Sequence, residues 1–229
     1  MNTSNGSPKK TQSVSSASRK KALTFAYRAG NGVYINLTNR CTNDCTFCLR
    51  NNSDCAYGSD PLWLEREPTA QEAFSAAKAF AETGCAEFVF CGYGEPMCRT
   101  ETLIETAKLL KAEFPSVPIR INTNGQSDLI NGRDVVPELI GLVDAVSISL
   151  NTPDPEAYVR LCRPAYGEKA FYAMLDFAAR CAAALPKVVF SAVRETLTPQ
   201  EAKKCGQIAR KTGAELRLRD YISENNQNA

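Results

Sequence analysis

The sequence predicts an α/β fold in which a parallel sheet is built from strands that alternate with helices. Six short segments rich in Val, Ile, Phe or Leu are typical of strands, and helical patterns fill the gaps between them. Such alternation favours parallel strands joined by right-handed crossovers. The predicted strands cover residues 33–37, 87–91, 118–122, 145–150, 187–193 and 215–219.

Four helices are predicted between these strands. A capping box begins the first helix at Thr69, and Gly84 is placed to end it. The last helix begins with a second capping box at Thr198 and ends at Gly213. The other two are predicted from the apolar stripe Leu103, Ala107, Leu110 and Phe114, and from the pattern over residues 169–185.

The composition is typical of one folded domain between two polar tails. Of the 229 residues 44% are hydrophobic and 23% are charged, which suffices for one sizeable core. Residues 1–21 carry five basic and no acidic side chains, which predicts a disordered tail, and residues 222–229 form a polar C-terminal tail. In the remaining domain, 22–221, acidic residues outnumber basic ones, so it has no basic nucleic-acid footprint.

The expected compartment and the counts of cysteine and histidine together limit the classes of protein to which the chain could belong. No apolar leader opens the chain, and no apolar run reaches the roughly 18 residues of a membrane span, so a cytoplasmic protein is expected. Ten cysteines in that compartment indicate metal binding before disulfides. The chain has no histidine, which excludes Ser-His-Asp triads and Cys/His zinc sites.

Polar segments follow each predicted strand. Carboxyl ends of parallel strands meet at one edge of a sheet or barrel, where ligands bind. The convergence of these segments therefore predicts a site at that edge. They are the loop 41–48, the segments 92–96 and 122–125, and Asn151, Arg194, Glu195 and Asp220.

The first of these segments has the spacing C-x3-C-x2-C. Cys41, Cys45 and Cys48 could bind three irons of a cubane cluster and leave the fourth iron open. Alternatively, the same three thiolates could bind zinc with Cys55 as a fourth ligand, because structural zinc sites are closed.

Together with residues 92–96, this loop resembles the signature of the radical S-adenosylmethionine (radical SAM) enzymes. The resemblance extends over residues 23–220. It implies a partial (β/α)6 barrel that is laterally open, a 4Fe-4S cluster on Cys41, Cys45 and Cys48, and S-adenosylmethionine on the fourth iron. In that family an electron from the cluster cleaves the sulfonium, and a 5′-deoxyadenosyl radical removes hydrogen from a substrate. Residues 33–51 most resemble the subgroup associated with TatD-type nucleases.

The resemblance also implies a set of residues that bind S-adenosylmethionine. An aromatic residue before the third cysteine lies against adenine in the family, and the family's Gly-Gly-Glu-Pro motif has Tyr93 at its first glycine here. Each of the later segments has a second interpretation, as an ordinary turn or a solvated strand end. The implied residues are Phe47, Gly92, Tyr93, Gly94, Glu95, Asn122, Thr123, Asn124, Ser149, Asn151, Arg194 and Glu195.

The expected partners and the competing enzyme functions follow from the same resemblance, and the zinc-binding alternative follows from the cysteine loop itself. A reductant such as flavodoxin or ferredoxin is expected, and an open barrel favours a protein, peptide or nucleic-acid substrate that covers the opening. A single cluster is expected, with Cys91 and Cys98 as buried thiols. The alternatives are an enzyme similar to 7-carboxy-7-deazaguanine synthase, a glycyl-radical activase, and a zinc-binding interaction module.

Overall fold

The computed structural model describes residues 19–221, which fold around a mostly parallel sheet. Residues 1–18 and 222–229 of the predicted tails lie outside these residues. The last three residues of the predicted N-terminal tail are described: Arg19 lies over the ring of Trp63, the backbone N–H of Lys20 donates to Asp54, and Lys21 belongs to a two-residue strand paired with Trp63. The strands are β1 (Lys21–Ala22), β2 (Ala26–Ala29), β3 (Gly32–Ile35), β4 (Trp63–Leu64), β5 (Glu87–Phe90), β6 (Ile119–Thr123), β7 (Ala145–Ser149), β8 (Lys187–Val193) and β9 (Glu215–Arg219).

The helices lie between the strands. They are α1 (Ala70–Ala81), α2 (Thr100–Glu113), α3 (Ser127–Asn131), α4 (Val136–Leu139), α5 (Pro155–Cys162), α6 (Lys169–Ala184) and α7 (Pro199–Lys211). Short 3-10 helices span Leu49–Asn51, Pro96–Arg99 and Arg194–Thr196. Both predicted capping boxes are present, at Thr69 and at Thr198. The three short helices α3, α4 and α5 are additions to the four predicted ones.

The main sheet has seven strands in the order β2-β3-β5-β6-β7-β8-β9, and all neighbours except β2 and β3 are parallel. All six predicted strands are confirmed, with ends shifted by a residue or two. The additional strand β2 pairs with β3 through a tight turn in which Gly30 has a φ of 55°. Within the described residues, β2 and β9 pair on one side only. The sheet is therefore an open, partial barrel, as predicted.

Alternation along the strands separates an apolar face from a polar one. Phe88 and Phe90 on β5, like Val146 and Ile148 on β7, are fully buried in the main core. Residues between or beside them point the other way, because successive side chains in a strand face opposite sides. This second face lines the interior of the partial barrel, and Ser147 is one of its residues. In the described part of the chain, no helix is long and apolar enough to cross a membrane.

Candidate functional site

A cavity of about 300 Å³ opens at the carboxyl ends of the parallel strands. It brings together thirteen of the residues that the sequence singles out, from four segments distant in the chain. They are Cys41, Cys45, Phe47, Cys48, Gly92, Tyr93, Gly94, Glu95, Asn122, Thr123, Asn124, Ser149 and Asn151. The edge predicted from the polar segments is therefore a real concavity.

Arg194 and Glu195 lie outside the described lining of this cavity. The Arg194 Nε donates to Asp220 Oδ1 at 3.1 Å, in an exposed ion pair. Glu195 Oε2 accepts a hydrogen bond from the backbone N–H of Tyr221 at 2.9 Å. Both side chains thus connect the end of β8 to the segment after β9, which is a structural role at the rim.

The cysteine loop, residues 41–48, follows β3 and is held by the end of α5. The backbone N–H of Asp44 donates to the carbonyl of Cys162 at 3.0 Å, and that of Thr46 donates to the carbonyl of Leu161 at 3.0 Å. These carbonyls belong to the last turn of α5, where helical carbonyls lack partners within the helix. The helix end therefore fixes the path of the loop.

The surroundings of the three loop thiols raise the pKa of each one. Desolvation, with a smaller contribution from Glu95, raises the pKa of Cys41 to about 12. A hydrogen bond with Cys162 and burial raise the pKa of Cys45, and burial raises that of Cys48. Cysteine binds metals as the thiolate, so each of these thiols must release its proton when a metal binds.

The donor set in the cavity fits an iron-sulfur cluster. All three thiols face the same cavity, while Cys55, the fourth ligand in the zinc alternative, lies outside the described lining. Within residues 19–221, no three Cys, Asp or Glu side chains converge on a point as ligands of a single ion would. A cluster does not require that convergence, because each thiolate binds a different iron.

The turn after β5 leaves no room for side chains at two glycines. A Cβ on Gly94 would lie 2.3 Å from the carbonyl oxygen of Thr38 and 2.5 Å from that of Arg40. A Cβ on Gly92 would lie 2.0 Å from Oδ1 of Asn36. Glycine at these positions lets the turn pack directly against the segment that enters the cysteine loop.

Tyr93, which replaces the first glycine of the family motif, turns its ring away from this turn. The ring packs edge-on against Trp63 at 5.3 Å between centroids. Its hydroxyl donates to the carbonyl of Ser53 at 2.7 Å, with the carbonyl of Cys55 at 3.0 Å. The side chain therefore occupies a small second core, and the backbone of the turn remains free to approach a ligand.

Glu95 connects the turn after β5 with the segment after β6. Its carboxylate accepts hydrogen bonds from Thr123 Oγ1 and the backbone N–H of Asn124, both at 2.7 Å, and from the N–H of Met97 at 3.0 Å. Burial nevertheless raises its pKa to about 7. Glu95 is thus a buried anchor that shapes the cavity wall.

A buried polar network links the cysteine loop to the segment after β6, and the sequence analysis missed it. Asn124 Nδ2 donates to Thr42 Oγ1 at 2.8 Å, and Thr42 Oγ1 donates to Gln126 Oε1 at 2.9 Å. Gln126 Nε2 donates to Asn43 Oδ1 at 2.7 Å, with the hydroxyl of Tyr158 at 3.2 Å. Asn43 lies between two of the cysteines in the sequence, which is a signal that could have identified it.

Asn151 presents an unsatisfied acceptor in the cavity wall. Its side chain is 1% exposed, and its Oδ1 has no hydrogen-bond partner among residues 19–221. The backbone has a φ of 60°, which Asn tolerates better than most residues. A buried acceptor without a donor costs about 1–3 kcal/mol. This orphaned atom therefore fits a ligand that brings a hydroxyl or amino group, as S-adenosylmethionine does.

The other two thiols near the turn differ in their surroundings. Cys91 lines the cavity, and Cys98 lies in the short helix Pro96–Arg99 outside the described lining. Burial raises the pKa of both, to about 11 for Cys98. The sequence predicts that both thiols are buried, and in the structure each retains partial exposure.

Comparisons with known proteins agree with this geometry. The model of the radical SAM superfamily matches residues 35–204. A GTP 3′,8-cyclase from Corynebacterium glutamicum (strain R) is 33% identical over 142 residues, which are 59% of this chain and 35% of that protein. The FeMo cofactor biosynthesis protein NifB from Azotobacter vinelandii is 26% identical over 127 residues, which are 54% of this chain and 24% of that protein. The chain thus spans about a third or less of these relatives.

Solved structures share the fold at low sequence identity. Streptococcus suis SuiB bound to S-adenosylmethionine superposes with a TM-score of 0.63 at 14% identity, over 85% of this chain and 41% of that one. A radical SAM methyltransferase from Sphaerobacter thermophilus gives 0.54 at 17% identity, over 89% of this chain and 71% of that one. The family model covers most of this chain. The chain therefore belongs to the radical SAM superfamily, whose enzymes use a 4Fe-4S cluster and S-adenosylmethionine.

Proposed function

We propose that Cys41, Cys45 and Cys48 hold a 4Fe-4S cluster and that the remaining cavity binds S-adenosylmethionine beside it. The observation that carries this proposal is that the three thiols and the polar ends of β5, β6 and β7 face one cavity. In this family the reduced cluster supplies the electron that cleaves S-adenosylmethionine, and the resulting 5′-deoxyadenosyl radical takes hydrogen from a substrate.

The residues of this chain then bind and orient. Gly92 and Gly94 let the turn pack against residues 36–40, beside the cysteine loop. The backbone of residues 92–94 would bind the methionine amino group there. Asn151 Oδ1 would accept a hydrogen bond from S-adenosylmethionine, and Ser149 lies beside it in the lining. Phe47, also in the lining, would pack against the adenine. Arg194 and Glu195 lie outside the described lining, and the proposal does not include them.

The proposed substrate is a macromolecule. The two curated relatives are named for different products, a cyclised GTP and a metal cofactor. Membership of the superfamily therefore leaves the substrate open. The partial barrel favours a protein, peptide or nucleic acid that covers its open side, with flavodoxin or ferredoxin as the electron donor and the cytoplasm as the compartment. The hypothesis that the protein belongs to the subgroup associated with TatD-type nucleases is based on the resemblance of residues 33–51 to that subgroup.

The test is formation of 5′-deoxyadenosine from S-adenosylmethionine by anaerobically reconstituted, reduced protein. We expect product from the wild type and from Cys55→Ser, and none from Cys45→Ser. The opposite result would be a wild type that binds zinc and no iron, together with loss of that zinc in Cys55→Ser. It would support the zinc-binding module and overturn the proposed enzymatic function. Matching circular dichroism spectra of the variants would exclude misfolding as the cause.

A further inference from the structure

Two arginines of β9 line the cavity, and their side chains have no partner in the part of the chain that the structure describes. Arg217 and Arg219 are alternate residues of β9, so their side chains lie on the same side of the sheet, and both line the cavity. Neither guanidinium group forms a hydrogen bond or ion pair within residues 19–221, although the backbone of β9 pairs with β8. Other arginines of this interior are satisfied, since Arg120 forms two hydrogen bonds to the carboxylate of Glu87, at 2.6 and 3.0 Å.

The arginines belong to the wall opposite the turn that follows β5. Three strands separate β9 from β5 in the sheet, yet Arg219 and Cys91 line the same cavity. The sheet therefore curves around the cavity and brings its last strand towards its first parallel ones. Ser191 pairs in register with Arg217 and also lines the cavity, so a hydroxyl lies next to a guanidinium.

The charges around these guanidinium groups are unbalanced. Among the described residues that line the cavity, Glu95 carries the only carboxylate, and it is already engaged by three donors. Desolvation lowers the pKa of Arg219, and the nearby charge of Arg217 adds to this effect. Arg217 is exposed, whereas Arg219 is half-buried. A partly desolvated cation beside a second cation is costly unless an anion joins them. Arginine is the side chain best suited to bind carboxylates and phosphates in two-point contacts.

Tyr57 completes this part of the cavity. It has a φ of 52°, which is strained for an aromatic residue and is typical of functional sites. Its ring lies 6.3 Å from that of Tyr34, centroid to centroid, and both rings line the cavity. Burial raises the pKa of Tyr57, and the nearby charges of Arg219 and Arg217 oppose part of that increase. The subsite therefore combines two cations with an aromatic wall.

We propose that Arg217 and Arg219 bind an oxyanion of the substrate, a carboxylate or a phosphate, with Tyr57 and Tyr34 packing against the group that carries it. This inference rests on the proposed function, because it places the substrate beside S-adenosylmethionine in one cavity. The anion anchors the substrate on the β9 wall, and S-adenosylmethionine occupies the wall formed by β5, β6 and β7.

The test is isothermal titration of the reconstituted protein with inorganic phosphate and, separately, with acetate, at low ionic strength. We expect at least one of these ions to bind, and its affinity to fall at least tenfold in Arg219→Gln. Arg219→Lys should retain part of the affinity. Arg160→Gln, which changes an exposed arginine paired with Glu156, should bind as the wild type does. The ion that binds with the higher affinity indicates whether the substrate carries a phosphate or a carboxylate.

S-adenosylmethionine also carries a carboxylate, so the titration is repeated with that cofactor at saturation. We expect the affinity for the ion to stay within about twofold. Displacement of the ion by S-adenosylmethionine would assign the arginines to the cofactor and overturn the proposal, as would equal binding by the wild type and Arg219→Gln, or no binding of either ion. Unchanged affinity of Arg219→Gln for S-adenosylmethionine would show that its cavity is intact. If the protein binds the ion through Arg219 but does not cleave S-adenosylmethionine, the proposed function is contradicted and the anion site is not.

Discussion

Gln126 and Asn43 meet in the interior of the domain, where Gln126 Nε2 donates to Asn43 Oδ1 at 2.7 Å. Both are buried, and the hydroxyl of Tyr158 lies 3.2 Å from Gln126 Nε2 and 3.3 Å from Asn43 Nδ2. Asn43 belongs to the cysteine loop, and Gln126 belongs to the segment after β6. The bond therefore ties the proposed cluster ligands to the wall proposed to bind S-adenosylmethionine.

Gln126→Leu should loosen the cysteine loop. Leucine keeps the bulk but removes the donor, so Oδ1 of the buried Asn43 would lose its partner at a cost of about 1–3 kcal/mol. We expect a lower free energy of unfolding in urea and faster release of iron from the reconstituted protein to a chelator. Gln207→Leu, which changes an exposed residue of α7, is the matched control. Equal iron release from Gln126→Leu and the wild type would contradict the role of this bond.

Gly94→Ala should disrupt the turn after β5. The added Cβ would lie 2.3 Å from a backbone oxygen, and backbone cannot move aside as the end of a side chain can. Overpacking of this kind typically costs about 1–3 kcal/mol. We expect a lower thermal midpoint and at least a tenfold loss of affinity for S-adenosylmethionine by titration calorimetry.

Gly206→Ala is the control for that substitution. Gly206 lies within α7, and the nearest atom to its added Cβ is the end of the Arg210 side chain at 3.6 Å. Alanine in a helix interior is more favourable than glycine by about 0.5–1 kcal/mol. Gly206→Ala should therefore be slightly more stable than the wild type, with unchanged affinity. An equal effect of the two substitutions would contradict the close approach at Gly94.

The stability of the metal-free protein should fall with increasing pH because of Glu95. Burial raises its pKa from the ordinary 4.5 to about 7, so between these values the folded protein keeps a proton that the unfolded chain releases. The contribution is complete below pH 4.5 and is lost as the pH rises through 7. Its size is on the order of 3 kcal/mol.

Urea unfolding at about pH 5 and about pH 8 measures this contribution against the variant Glu95→Gln. The wild type should lose more stability than the variant over this interval, because glutamine does not titrate. Glu138→Gln, in which the changed residue is partly exposed, should keep the wild-type pH dependence. The same pH dependence in Glu95→Gln and the wild type would rule out Glu95 as its source.

The sequence predicts the strands and the capped helices because those features are local. The capping boxes at Thr69 and Thr198 and the alternation of strands and helices need no knowledge of distant contacts. Strand β2 was missed although Gly30 and Asn31 are a typical hairpin turn, because its sequence, Ala-Tyr-Arg-Ala, has no β-branched residue and two alanines, which are depleted in strands.

The site was predicted less completely, because side-chain direction depends on tertiary packing. The direction of Tyr93 depends on the room beside Trp63, and the rim position of Arg194 depends on Asp220 after β9. Arg217 and Arg219 were missed although their alternation in β9 is visible in the sequence. Only the curvature of the sheet shows that their face lines the cavity.

Asn151 offers a way to separate backbone conformation from ligand binding. Its φ of 60° suits glycine, and alanine at such an angle is strained by about 1–2 kcal/mol. Its Oδ1 has no partner within the described residues and is available to a bound ligand. Both Asn151→Gly and Asn151→Ala should therefore bind S-adenosylmethionine at least tenfold more weakly than the wild type. Only Asn151→Ala should add the backbone strain, which would make it the less stable of the two in urea. Wild-type affinity in Asn151→Gly would mean that the orphaned oxygen does not contact the cofactor, and equal stability of the two variants would mean that the backbone relaxes at this position.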